Sequence, residues 1–225
     1  MKIDSDKYPI PLRMRHHTSP NFYIPANELK DVTDGYPPLI ENVDWKQFYV
    51  NGIAPVKLDV GCGKGKLLLD TAEQNPEINI LGIEVRRHAV DWLTDIILGE
   101  NITNCAVIWY SVVNGLAFIE SSSIEEIYYL FPDPWQKLKH HKRRAFNDFV
   151  LDEFIRTLKP DGRLYLASDV EEVHDYHLKL VNSKPDLDIK IIDNDDEWTL
   201  PITNKETFCR KKDIPFYRII AKKKV

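Results

Sequence analysis

The chain has 225 residues, of which 43% are hydrophobic and 11% aromatic, so we expect one α/β domain with an extension rather than a disordered chain. Its three cysteines, Cys62, Cys105 and Cys209, are scattered and odd in number, which argues against a disulfide scaffold and a zinc site. No apolar run reaches the length of a membrane span, and residues 1–10 lack the apolar run of a signal peptide. These features predict a cytoplasmic protein that has no membrane segment and no metal.

The net charge of −5 argues by itself against a nucleic-acid-binding protein, but the charges are unevenly distributed. Lys137–Arg144 carries +5 and Arg210–Val225 carries +6, which leaves −16 for the rest of the chain. This segregation predicts a local basic face on an acidic body. For the C-terminal segment we favour the alternative of an ordinary lysine-rich tail.

Residues 1–54 are rich in proline and aromatic residues and form an N-terminal extension before a domain at residues 55–225. The extension contains a small basic cluster, which consists of Arg13, Arg15, His16 and His17. It could be a mobile arm that orders over a ligand or a segment packed on the core. We favour the packed arrangement for Tyr36–Val50.

The domain begins with a buried strand, a glycine turn and a helix. Apolar residues alternate from Val56 to Val60, the turn contains Gly61, Gly63 and Gly65, and a helical pattern starts at Lys66. Glycine suits a tight strand-to-helix turn because it adopts positive φ and has no Cβ to hold a ligand off the backbone. The helix N-terminus that follows favours a negatively charged ligand group.

A second strand, Ile80–Ile83, ends in Glu84, where a carboxylate would accept both hydroxyls of a ribose. The dinucleotide fingerprint requires glycine or alanine at its sixth position, which is Lys66 in this chain. The glycine spacing is instead similar to the first motif of S-adenosylmethionine-dependent methyltransferases. A glycine-rich turn in some other α/β protein is the alternative.

Helical and strand patterns then alternate along the chain. The predicted helices are Arg87–Leu98, Leu116–Ile119, Ala145–Leu158 and Glu171–Val181. The further predicted strands are Ala106–Trp109, Glu126–Phe131, Arg163–Ala167, Ile189–Ile192 and Pro215–Ile220. This order predicts an α/β fold, Rossmann-like and doubly wound, with a mainly parallel seven-stranded sheet. His174 and His177 are interpreted as a solvated face of their helix rather than as ligands.

Ligands of such sheets bind beyond the carboxyl ends of the strands, where Gly61, Glu84, Asp133 and Asp169 are expected. Two prolines flank Asp133 in the loop Phe131–Lys137 and would hold its carboxylate on a stiff backbone. The neighbouring tryptophan could stack on a base, and the basic residues that follow could bind phosphates. A proline-stiffened surface turn is the alternative.

From Leu58 to Asp169 the chain resembles the bacterial tRNA (guanine-N7)-methyltransferase family. Its F-P-D-P-W-x-K loop is matched at Phe131–Lys137 and its H-x-K-R-R segment at His140–Arg144. The family's later motifs are matched at Ala167, Ser168, Asp169, Thr203, Glu206, Pro215, Tyr217 and Arg218. The resemblance implies a monomer or homodimer that methylates guanine N7 in the tRNA variable loop, at position 46.

The resemblance also implies roles for individual residues. S-adenosylmethionine would be bound by Asp59, Gly61, Gly63, Glu84 and Ser111. The guanine would be bound by Lys137, Asp169, Thr203 and Glu206, with Asp133 as the catalytic residue. RNA phosphates would be bound by Lys139, Lys142, Arg143 and Arg144.

Four positions depart from the family pattern, namely Asp59, Ser111, Gln136 and Lys205. Ser111 replaces an aspartate near the cofactor's adenine, where its hydroxyl can still accept or donate one hydrogen bond. Thr203–Glu206 is also a helix capping box, an interpretation compatible with a site role. The remaining alternatives are a methyltransferase of the same fold that acts on another RNA or a small molecule, and a non-catalytic RNA-binding relative.

Overall fold

The structure is a computed structural model that describes residues 1, 3–11, 19–135 and 137–225, without the side chains of Leu138, Lys139 and Lys142. The predicted basic cluster of Arg13, Arg15, His16 and His17 lies outside the described residues, as does Gln136. The side chains of Lys139 and Lys142 are not described either, so their predicted phosphate contacts also lie outside the described part of the chain.

Seven strands and five α-helices alternate along the described part of the chain. The strands are β1 (Lys57–Val60), β2 (Ile80–Glu84), β3 (Cys105–Trp109), β4 (Ile124–Leu130), β5 (Leu158–Ser168), β6 (Leu187–Ile191) and β7 (Tyr217–Lys223). The α-helices are α1 (Lys66–Gln74), α2 (Arg87–Gly99), α3 (Asp148–Thr157), α4 (Glu171–Asn182) and α5 (Asn204–Lys212).

The strands form one sheet in the order β3-β2-β1-β4-β5-β7-β6. β1 to β5 are parallel to one another, whereas β7 lies antiparallel between β5 and β6. The predicted α/β fold with a mainly parallel seven-stranded sheet is therefore confirmed. Because β7 is an interior strand with Arg218 and Ala221 buried, the lysine-rich C-terminal segment is part of the sheet rather than an ordinary tail.

The sheet separates two apolar layers. Leu68 of α1 and Leu93 of α2 are fully buried against one face, and Phe154 of α3 is fully buried against the other. On this second face the N-terminal segment also contributes Tyr49, whose hydroxyl donates to the carbonyl oxygen of Ile80 at 2.9 Å. Packing on both faces leaves the carboxyl ends of the parallel strands as the open edge of the sheet.

The predicted helix at Leu116–Ile119 is wrong, since this segment forms turns. Its side chains at Leu116, Phe118 and Ile119 are buried, whereas Ala117 is exposed. The guanidinium of Arg156 donates to the carbonyl oxygens of Leu116 and Ile119, at 2.8 and 3.0 Å. A contact distant in sequence thus satisfies groups that a helix would have bonded internally.

Two predicted element starts differ from the structure by three residues or more. α3 begins at Asp148 rather than Ala145, because the Asn147 side chain caps it by accepting from the amide of Val150 at 3.0 Å. β5 begins at Leu158, five residues before the predicted strand, and a register shift in its pairing with β4 follows.

The expectation of a solvated histidine face on α4 is wrong, since His174 and His177 are both buried. His177 packs edge-on against Phe146, with ring centroids 4.9 Å apart, and also contacts Tyr129. Burial lowers the pKa of His177 to about 3, so this imidazole is neutral. No helix of the described residues is both long and apolar enough to cross a membrane.

Candidate active site

A cleft of about 710 Å³ opens at the carboxyl ends of β1, β2 and β4. Six of the residues predicted for the site line it, namely Asp59, Gly61, Gly63, Glu84, Asp133 and Thr203. Six others with described side chains do not line it, namely Ser111, Lys137, Arg143, Arg144, Asp169 and Glu206. The cleft therefore joins the glycine turn to the proline loop, as the strand-end rule predicts.

The glycine turn between β1 and α1 has a left-handed backbone at Gly61, Gly63 and Gly65, with φ values of 78°, 60° and 68°. A Cβ at Gly61 would meet nothing within 4 Å, so this glycine leaves the cleft wall bare. A Cβ at Gly65 would overlap the side chain of Leu93. The same residue type thus serves ligand access at one position and helix packing at another.

Asp59 is buried at the end of β1, with 4% of its surface exposed. Burial, and then the charge of Glu84, raise the pKa of Asp59 to about 8. Its Oδ2 atom has no hydrogen-bond partner among the described residues. A buried acceptor without a partner at the wall of a cleft is suited to a donor on a bound ligand, and a cationic donor would also stabilise its ionised form.

Glu84 is buried at the end of β2 and connects this strand to the glycine turn. Its Oε2 accepts hydrogen bonds from the amide of Gly63 and from Nη2 of Arg86, both at 2.9 Å. Its Oε1 accepts from the amide and Nε of Arg86, again at 2.9 Å. The carboxylate of Glu84 raises the pKa of Arg86, which is consistent with a stable ion pair.

Asp133 lies on the proline loop after β4 and is exposed. The hydroxyl of Tyr23, 110 residues earlier, donates to Asp133 Oδ2 at 2.7 Å. The ring of Tyr23 also contacts Trp135 edge-on, with ring centroids 5.3 Å apart. Phe131 and Trp135 both have positive φ, 52° and 40°, and such strained backbone is concentrated at functional sites.

Sequence reasoning missed Tyr23 and Arg86, both of which line the cleft. Tyr23 belongs to a short 3-10 helix, Pro20–Tyr23, within the predicted extension. No spacing relates it to Asp133, so only the folded chain brings the two together. Arg86 follows the predicted ribose-binding Glu84 by two residues, and this acid–base spacing was the available signal.

Ser111 follows β3 and is buried, with its Oγ donating to the carbonyl oxygen of Phe22. This hydrogen bond attaches the N-terminal segment, next to Tyr23, to the loop after β3. Asn114 helps in the same way, since its side-chain oxygen accepts from the amide of Ala26 at 2.9 Å. The assignment of Ser111 to the cofactor stays a prediction.

At the start of α5, Thr203 is the N-cap and accepts from the amide of Glu206 at 3.0 Å, so the predicted capping box forms at this end. The side chain of Glu206 is buried and accepts from Arg218 at 2.7 Å. Asp169 pairs with Lys205 at 2.6 Å. The substrate roles of Asp169 and Glu206 stay predictions, and each carboxylate has a cationic partner within the chain.

The basic segment after the proline loop divides into exposed and buried side chains. Lys137 is exposed, and the guanidinium of Arg143 lies over the ring of Trp135 at 5.2 Å. Arg144 is buried and donates to Glu172 at 2.7 Å. The phosphate role of Arg144 stays a prediction, although this side chain already has an anionic partner.

S-adenosylmethionine fits the cleft by size and chemistry. The volume lies within the range of cofactor sites. Oδ2 of buried Asp59, which has no partner in the described part of the chain, suits the cationic amino-acid end of this cofactor, and the bare backbone at Gly61 permits close approach. Within the described residues there is no group of three or more histidine, cysteine or acidic side chains that could hold a metal ion.

Comparison with known proteins gives consistent results. Residues 53–219 match a family model described as "Putative methyltransferase". The tRNA (guanine-N(7)-)-methyltransferases of Streptococcus pneumoniae strains 70585 and Taiwan19F-14 are each 30% identical over 156 residues, which is 68% of this chain and 74% of each relative.

Two solved structures show the same fold. The 16S rRNA methyltransferase KamB has a TM-score of 0.58 and 14% identity, and the match covers 84% of this chain and 97% of that one. The aminoglycoside resistance methyltransferase NpmB1 has a TM-score of 0.51 and 18% identity, over 77% and 88% of the two chains. With its family-model match and its curated relatives, the chain belongs to the tRNA (guanine-N7)-methyltransferase family.

Proposed function

We propose that this protein transfers a methyl group from S-adenosylmethionine to N7 of a guanine in the variable loop of cytoplasmic tRNA, at position 46. Family membership supports the reaction. The observation that carries the assignment is the cleft itself. Asp59, whose Oδ2 has no hydrogen-bond partner among the described residues, and Asp133 of the proline loop line one cavity.

At the glycine turn, Asp59, Gly61 and Glu84 would hold the cofactor. S-adenosylmethionine, when bound, supplies a methyl group on a cationic sulfonium. Asp59 would accept a hydrogen bond from the cationic amino group at the amino-acid end, because its Oδ2 has no partner within the described residues. The bare backbone of Gly61 would let the ligand approach the turn closely.

At the proline loop, Asp133 would orient the guanine. The lone pair of guanine N7 is already nucleophilic, so the reaction needs no general base. The carboxylate of Asp133 would accept hydrogen bonds from the base and offset the positive charge that develops on the ring during transfer. Tyr23 would hold this carboxylate in place through its 2.7 Å hydrogen bond.

Outside the cleft, Lys137 is exposed and would bind a phosphate of the tRNA. The basic segment also contains Arg143, which lies over Trp135. Phosphate contacts release counterions, so the affinity for tRNA should fall steeply with salt.

The test is incubation of the protein with methyl-labelled S-adenosylmethionine and unmodified tRNA, followed by nucleoside analysis. We expect 7-methylguanosine as the labelled product. The same tRNA with adenine in place of guanine 46 is the matched control and should remain unlabelled.

Label on another atom, or equal label in both tRNAs, would overturn the assignment of the methylated position. Transfer to ribosomal RNA but not to tRNA would support the alternative of the same fold acting on another RNA. Absence of S-adenosylmethionine binding at millimolar concentration would support a non-catalytic RNA-binding relative.

A further inference from the structure

The four hydrogen bonds to Glu84 are arranged as two pairs. Each carboxylate oxygen accepts one backbone amide and one guanidinium nitrogen: Gly63 N and Arg86 Nη2 on Oε2, Arg86 N and Nε on Oε1. All four distances are 2.9 Å. A carboxylate has about four acceptor positions, so Glu84 has none left for a further donor.

The two guanidinium bonds have the geometry that a ribose would need. Two vicinal hydroxyls donate to a carboxylate through one position on each oxygen, and the Arg86 fork occupies one position on each oxygen of Glu84. The two backbone donors are fixed by the glycine turn and by the start of α2. The guanidinium is on a flexible side chain that lines the cleft and is 28% exposed, so it is the donor that can leave.

We propose that Arg86 competes with the cofactor's ribose for Glu84 and thereby weakens cofactor binding. This inference rests on the proposed function, because it needs a ligand that carries a ribose diol. Binding then replaces two guanidinium bonds by two hydroxyl bonds and moves Arg86 into solvent, while both backbone bonds to Glu84 persist. The weakening of cofactor binding requires both the ribose diol and the two guanidinium bonds of Arg86. It can therefore be distinguished from a general effect of the positive charge of Arg86.

The experiment measures calorimetric dissociation constants for S-adenosylhomocysteine and for its 2′,3′-dideoxy analogue. The proteins are the wild type, Arg86→Met, Arg86→Lys and Arg87→Met. Arg87 is the matched control, because it is the neighbouring arginine, is 66% exposed and makes no hydrogen bond to Glu84. A melting curve for each variant establishes that it is folded.

We expect Arg86→Met to tighten S-adenosylhomocysteine binding about ten-fold and to leave the dideoxy analogue unchanged, because only the diol competes for the two freed positions. Arg86→Lys keeps the charge but loses the fork, so about three-fold tightening is expected. Arg87→Met should bind both ligands like the wild type.

Unchanged or weaker binding of S-adenosylhomocysteine by folded Arg86→Met would overturn the inference, as would equal tightening of both ligands. If Arg86→Met does not fold, the affinities of Arg86→Lys for S-adenosylhomocysteine and for the dideoxy analogue test the inference in the same way. If the wild type and Arg87→Met bind neither ligand, the proposed function itself fails. If they bind S-adenosylhomocysteine and the Arg86 variants bind it equally well, only the inference about Arg86 fails.

Discussion

Asp59 and Glu84, at the cofactor end of the cleft, are buried at the ends of adjacent strands and are 4% and 3% exposed. Asp133, at the guanine end, is exposed on a loop, and its carboxylate accepts a hydrogen bond from Tyr23 of the N-terminal segment. The sheet positions the first pair through parallel pairing of Asp59 with Gly82 in β2. The position of Asp133 at the guanine end instead depends on contacts between side chains that are distant in sequence.

Because of this difference, substitutions at the two ends of the cleft should have different effects. Burial fixes the carboxylates of the cofactor end but leaves Asp59 with a raised pKa, so substitutions there change stability together with binding. The guanine end has no comparable burial at Asp133. Substitutions there should therefore change turnover while leaving the fold and the cofactor affinity in place.

The largest expected effect is at Asp133. Asp133→Ala should lower the rate of methyl transfer by about 10²- to 10³-fold, because the base loses its orienting and charge-offsetting carboxylate. The dissociation constant for S-adenosylmethionine should stay within two-fold of the wild type, or about 0.4 kcal/mol. Single-turnover transfer and calorimetry measure the two quantities. Asp95→Ala, an exposed substitution on α2, is the control, and near-normal transfer by Asp133→Ala would remove Asp133 from its role.

The next effect separates two glycines of the same turn. Gly61→Ala and Gly65→Ala both force a side chain onto positive φ, which costs about 1–2 kcal/mol. Only Gly65→Ala also drives a Cβ into Leu93, so its total cost should reach about 3 kcal/mol or more. Urea unfolding of both variants measures the difference. Equal destabilisation would contradict the distinct packing role of Gly65.

A further effect is spread over several pH units and concerns Asp59. Burial raises its pKa from 3.8 to about 8, so between these values the unfolded chain releases a proton that the folded chain retains. The contribution of Asp59 to stability is therefore present below pH 4, falls as pH rises and is fully lost above about pH 8. The slope is at most about 1.4 kcal/mol per pH unit.

Asp59→Asn lacks the titrating group, so the wild type should lose stability relative to this variant as pH rises from 5 to 8. Urea unfolding of both proteins at each pH gives the difference between their free energies of unfolding. The titration of all other groups cancels in this difference. A difference that is constant with pH would show that Asp59 does not titrate in this range.

The sequence was sufficient to predict the features that depend on local patterns. The glycine turn, the strand ending in Glu84 and the N-cap at Thr203 follow from backbone preference and spacing within a few residues. These local signals also explain why the seven strands could be predicted, although their starts were less accurate.

Features that depend on a distant partner could not be predicted. The turn at Leu116–Ile119 is fixed by Arg156, and the burial of His177 depends on Phe146 of the segment before α3. The same holds at the site, where Ser111 bonds the backbone of Phe22. No periodicity in the sequence encodes such contacts, because they join residues far apart in the chain. The contact at Ser111 forms only when the N-terminal segment packs on the sheet.

The smallest effect tests that packing directly. Tyr23→Phe removes the hydrogen bond to Asp133 while keeping the ring against Trp135. A hydrogen bond to a charged acceptor contributes about 1.5–3 kcal/mol, and water partly replaces it at an exposed carboxylate, so turnover should fall about three- to ten-fold. Tyr8→Phe is the matched control, because it removes a phenol–carboxylate bond of 2.8 Å, to Glu100, from the same N-terminal extension. If Tyr23→Phe weakened cofactor binding as much as it slowed turnover, the two ends of the cleft would not be independent, and the N-terminal segment would hold both.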